Sequence, residues 1–105
     1  MPDENEVCED AILNIVQSSV RVQEIMASIK KEGYHPAYIV LKEEEKEGIY
    51  YIKLGVSLEL RFDTWTNFTY FVKEENLTEQ DVVSGGNEPI DFDLKIAEKL
   101  PKNCL

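Results

Sequence analysis

Apolar side chains recur at three- and four-residue steps from about Glu6 to Glu32. Ile12, Ile15, Val16, Ser19, Val22, Met26 and Ile29 trace one stripe, widened by Leu13, Val20 and Ile25. The spacing predicts one long amphipathic helix. Its ends agree with that reading. Glu6, Glu9 and Asp10 put negative charge in the first turns, and Lys30 and Lys31 put positive charge in the last, each opposing the helix dipole. Gly33 suits the left-handed residue that closes a helix, and Pro36 prevents continuation. Residues 1–5 are polar and expected to fray.

The period then changes from near four to two. Residues 37–43 read as a strand, followed by the acidic turn Glu44-Glu45-Lys46-Glu47-Gly48. From Tyr50 to Phe62 every second residue is apolar: Tyr50, Ile52, Leu54, Val56, Leu58, Leu60 and Phe62. This is either one strand bent at Gly55 or two strands joined there, and the unbroken parity favours one. Residues 63–67 read as a turn and 68–73 as another strand.

The last third has a weaker pattern. Thr78-Glu79-Gln80-Asp81 resembles a capping box opening a short helical turn through Val83. Ser84-Gly85-Gly86-Asn87 reads as a loop, with Pro89-Ile90 extended. Asp91 is placed to cap a final helix whose Phe92, Ile96 and Leu100 share a face, ended by Pro101. The expected architecture is α+β, in a single domain spanning 1–105. A long N-terminal helix packs on an antiparallel three- or four-stranded meander, followed by one or two short C-terminal helices.

Composition narrows the function. The chain has 105 residues, with 11 Lys plus Arg against 21 Asp plus Glu, a formal charge of -10. Phosphate contacts need basic side chains, so direct nucleic-acid binding is not expected, nor is binding to an anionic membrane. No apolar run approaches the ~20 residues of a membrane span. The two cysteines, Cys8 and Cys104, lie near opposite ends with no Cys-x-x-Cys, and read as reduced thiols of a cytoplasmic protein, with a bridge between the termini as the alternative if the chain is exported.

Candidate chemistry is sparse. His35, the only histidine, would have to serve any Ser-His or Cys-His site, yet no nucleophile-turn signature accompanies it. A hydrolase using His35 is the weakest of the readings. One histidine and two distant cysteines give no zinc spacing, and Asp91 and Asp93 lack a calcium-loop pattern. No metal and no cofactor are expected. Ser84-Gly85-Gly86-Asn87 lacks the lysine and the strand-helix context of a phosphate loop.

What stands out is an apolar excess on the second sheet face. With one face under the long helix, Tyr38 or Ile39, Val40, Ile49, Tyr51 and Phe71 are left to explain. Either the short C-terminal helices cover them, or they form a contact patch. The expected function is therefore a non-enzymatic acidic protein-binding module. It would inhibit, neutralise or escort a basic protein partner, in the manner of immunity, phage-antagonist or chaperone proteins. Its binding residues would be Tyr38, Val40, Glu43, Glu44, Glu45, Glu47, Ile49, Tyr51 and Phe71, with the carboxylates steering association. A nucleic-acid mimic and a structural homo-oligomeric subunit, including a homodimer, are the alternatives.

Overall fold

The computed structural model describes residues 4–80 and 85–105. Two helices, α1 (Glu4–Gln17) and α2 (Val20–Lys31), precede five strands: β1 (Pro36–Lys42), β2 (Ile49–Ser57), β3 (Phe62–Phe71), β4 (Asn76–Gln80) and β5 (Asn87–Ile90). The strands form one antiparallel sheet in sequence order. A short α3 (Leu94–Ala97) and a 3₁₀ turn at Lys102–Cys104 end the chain. The α+β class and the antiparallel meander match the hydropathy pattern, but the meander has five strands where the pattern predicts three or four, because two of them, β4 and β5, come from the weakly patterned last third. The helix and strand boundaries differ from the pattern in four places.

First, the expected single helix is broken at Ser18 and Ser19. Twenty-seven helical residues would run about 40 Å, longer than the largest dimension of the molecule, 38 Å. Serine competes with the helical backbone for hydrogen bonds, and Ser18 does so here. Its hydroxyl donates to the Ile15 carbonyl at 2.5 Å. Ser19 is extended (φ -72°, ψ 131°) at the start of α2. The break lets both segments bury their stripes against one sheet. Ile12, Ile15, Val16, Val22, Ile25 and Ile29 are all buried. The far end of α2 closes as the sequence indicates. Gly33 has φ +91°, its N–H reaches the Lys30 carbonyl at 3.0 Å, and the Tyr34 N–H reaches that of Ile29 at 3.2 Å.

Second, residues 50–62 are not one strand. β2 ends at Ser57, and a tight turn with the Leu58 N–H on the Arg61 carbonyl (2.8 Å) starts β3. Alternating parity continues through the turn, which hides the reversal. Residues 63–67, expected as a turn, lie inside β3. Gly55 marks an irregularity within the pair rather than a strand end. Leu54 pairs with Thr66 and Gly55 with Thr64, so the register skips Trp65 in a bulge.

Third, Asn76–Gln80 is β4 rather than a helical turn, with Leu77 fully buried opposite Tyr70. The rest of that expected turn, residues 81–83, lies outside the described residues. Fourth, the last helix is a single turn capped by Asp93, not Asp91. Its carboxylate accepts from the Lys95 N–H at 2.9 Å. Phe92, Ile96 and Leu100 still pack together against the core, with Phe92 edge-on to Tyr70 at 5.7 Å.

The core is the layer between the helices and the inner sheet face, which carries Tyr50, Ile52, Leu54, Val56, Phe68, Tyr70 and Leu77. At one end of it Cys8 and Cys104 are joined in a disulfide, with Cα atoms 5.4 Å apart. This corrects the expectation of two reduced thiols. The second turn of α1 and the C-terminal 3₁₀ turn converge on Tyr50, whose hydroxyl donates to the Cys104 carbonyl at 2.6 Å. Among the described residues no helix is long and apolar enough to cross a membrane.

Candidate functional site

The outer sheet face forms because side chains of successive residues on β1 and β2 point to opposite sides of the sheet and all the helices lie on one side. Tyr38 donates to the Met26 sulfur of α2 at 2.8 Å, Glu79 pairs with Arg21 of α2, and α3 follows Phe92 against Tyr70. Every one of these sheet residues points inward. The short C-terminal helix therefore does not cover the second face. Across that face run the rows Leu41–Tyr51–Thr69–Thr78–Pro89 and Ile49–Phe71–Asn76. The apolar half is at the β1–β2 side, where Leu41 is 49% and Tyr51 39% exposed. Towards β4 and β5 the face becomes polar.

The turn between β1 and β2 rims the apolar half. Tyr51 donates to a Glu43 carboxylate oxygen at 2.5 Å, and the Glu45 N–H donates to the other at 3.2 Å. These bonds fold Glu43 onto the outer face. The Tyr51 hydroxyl holds the Glu43 carboxyl below the usual carboxylate range, with the turn amides adding to it. The same bond raises the Tyr51 phenol. Glu44, Glu45 and Glu47 remain exposed.

The structure thus sorts the nine candidate residues. Glu43, Ile49, Tyr51 and Phe71 share the outer face, joined by Ile39 and Leu41. Tyr38 and Val40 face the helices, so they belong to the core side and not to that patch. The parity of β1 was open in the sequence because Tyr38, Ile39, Val40 and Leu41 are all apolar.

On the helix side a groove of about 500 Å³ runs between α2 and the strands β3 to β5. At its centre Arg21 grips Glu79 with two bonds, Nε to Oε1 at 2.8 Å and Nη2 to Oε2 at 3.2 Å. Thr66 also donates to Glu79 at 3.0 Å. The Glu79 hydrogen bond raises the Arg21 pKa further. Trp65, 41% exposed through its bulge, forms one wall. Sequence reasoning missed this pair, because a contact across 58 residues leaves no local spacing to read. The Arg21 and Glu79 charges are matched to each other there, and the carboxylate of Glu88 also lines the groove.

His35 is exposed in the loop before β1. Cys8 and Cys104, the two cysteines a Cys-His site would have to draw on, are bonded to each other and buried. Among the described residues no group of three or more His, Cys, Asp or Glu side chains is arranged to hold a metal. In comparisons with known proteins the chain matches no family model, no curated protein and no solved structure.

Proposed function

We propose that the chain is a non-enzymatic protein-binding module whose uncovered sheet face docks a basic protein partner. One observation carries the reading. An exposed apolar surface around Leu41 and Tyr51 adjoins a turn bearing four glutamates, in a chain of charge -10. Carboxylates at a rim steer a cationic partner, and a tyrosine on a half-wet face supplies desolvated contact area. Binding of this kind fits an inhibiting, neutralising or escorting role. The cytoplasmic expectation took both thiols as reduced. The Cys8–Cys104 bond instead favours action in an oxidising compartment.

The test is affinity capture with the wild type, with Tyr51→Ala, and with a Glu44→Lys/Glu45→Lys/Glu47→Lys variant, each washed at low and high salt. One basic protein retained by the wild type, lost at high salt and lost from both variants is the expected result. Capture that ignores both changes, or no specific capture at either salt, overturns the reading.

A further inference from the structure

A five-stranded open sheet has two edges, and they are built differently. β5 is four residues long and carries Glu88 and Pro89, a charge and a residue without an N–H. Both features blunt an edge against pairing. β1 has seven residues, its only proline at the first position, and the uncharged run Ala37-Tyr38-Ile39-Val40-Leu41. Among the described residues nothing pairs with its outer side.

The direction of the free groups follows from the hairpin. The Glu43 N–H donates to the Ile49 carbonyl at 2.9 Å. Antiparallel ladders alternate, so Leu41, Ile39 and Ala37 also bond to β2, and the groups of Tyr38, Val40 and Lys42 point outward. On the other side of β2, the Val72 N–H on the Gly48 carbonyl (2.8 Å) assigns Tyr50, Ile52 and Leu54 to β3, as the same alternation requires. Three outward donors at 38, 40 and 42 are symmetric about Val40.

We propose that β1 pairs antiparallel with β1 of a second copy of this chain, about a two-fold axis at Val40, fusing two sheets into one of ten strands. The proposal does not rest on the partner-binding function: pairing covers Ile39 and Leu41 at the edge of the outer face and leaves Ile49, Tyr51 and Phe71 open. In this register Tyr38 lies opposite Lys42 of the second copy, and every outward N–H finds a carbonyl. On the outer face Ile39 meets Leu41 of the second copy, twice, covering the apolar residues at the edge. The charges fit as well. Glu44, Glu45 and Glu47 follow one end of β1, while Lys30 and Lys31 close α2 just before the other. Antiparallel pairing brings the acidic end of each copy beside the basic end of the other. An arrangement in which a patch complements itself is what a two-fold dimer requires.

The oxidised full chain, sedimented from micromolar to near-millimolar concentration, should reach twice its 12.1 kDa mass. Val40→Pro removes an outward donor that the β1–β2 ladder does not use. It should raise the dissociation constant by at least about tenfold, with the far-ultraviolet circular dichroism unchanged. Lys30→Glu/Lys31→Glu and Glu44→Lys/Glu45→Lys should each weaken self-association, and an equal mixture of the two should restore it. If Val40→Pro does not fold, the mixed-charge rescue decides. A monomer at all concentrations overturns the proposal, as does a dimer that neither the proline nor the charge changes affect. The charge variants are common to both experiments, but the Tyr51→Ala arm of the capture lies on β2 and leaves the β1 edge intact, so that arm separates the failure of one reading from the failure of the other.

Discussion

Gly55 needs no left-handed backbone, yet the sheet leaves no room for any other residue there. A Cβ at this position would lie 1.9 Å from the Asp63 carbonyl oxygen and 2.9 Å from its carbon. Both are backbone atoms of the paired strand, so no side-chain rotation relieves the clash. Gly55→Ala should therefore lose ~2 kcal/mol or more, the range of substitutions that force a packed backbone apart. Urea unfolding measures it, and a loss below about 0.5 kcal/mol would mean that the strands separate easily at the bulge. The sequence marks Gly55 as a point of bending. It does not show that the bend belongs to the facing strand, where the skipped residue is Trp65. A bulge is a property of two strands, and only one of them is local. For the same reason Arg21 and Glu79 drew no notice as a pair, although each is plainly visible as a charge.

At the scale of elements, the pattern of apolar positions reads burial well and chain reversals poorly. Ser19 falls on the apolar stripe and is indeed fully buried, but the stripe runs on through a break in the helix. The inner-facing residues of β2 and the capped end of α2 were legible because each depends on neighbours two to four positions away. The turn after Ser57 was not, since it preserves the alternation on both sides. Thr78-Glu79-Gln80 satisfies a capping pattern, yet Leu77 gains more by burial opposite Tyr70, so tertiary pairing overrides the local signal. Half of the candidate surface was legible for the same reason: Ile49, Tyr51 and Phe71 follow from parity, whereas the uniformly apolar β1 gives no parity to read. The break itself makes a prediction of unusual sign. Serine at the start of a helix normally caps it, and its loss costs ~1 kcal/mol. Here the Ser19 hydroxyl makes no capping bond and has no partner among the described residues. Ser19→Ala should be neutral or stabilise the chain by up to ~1 kcal/mol, because it removes a buried unsatisfied group. A thermal midpoint several degrees below wild type would show that the hydroxyl is bonded in solution.

For the whole molecule the decisive feature is the closure of the chain on itself. The C-terminal segment holds to the rest through short elements: the single turn of α3 with Ala97 in the core and Ile96 and Leu100 against it, the Phe92–Tyr70 contact, and the Asp93 N–H on the Ser18 hydroxyl at 2.8 Å. At its end are the Tyr50 bond to Cys104 and the Lys42 ammonium on the Leu105 carbonyl at 3.0 Å. Such contacts alone leave a segment prone to local opening. The Cys8–Cys104 bond spans 96 residues and so restricts almost the whole unfolded chain. In the chain-entropy account a loop of that length stabilises by ~4–5 kcal/mol, a large part of the ~5–15 kcal/mol that holds a typical domain. Reduction should therefore lower the unfolding midpoint sharply. A Cys8→Ala/Cys104→Ala chain should start from the lower midpoint and be indifferent to reductant. Thiol titration of the untreated native protein in denaturant should find none free. If instead two thiols titrate and reductant changes nothing, the bond does not form in solution, and the argument for an oxidising compartment falls with it. If the expected pattern appears, the sheet face and the β1 edge belong to a protein whose folded state depends on the redox conditions around it.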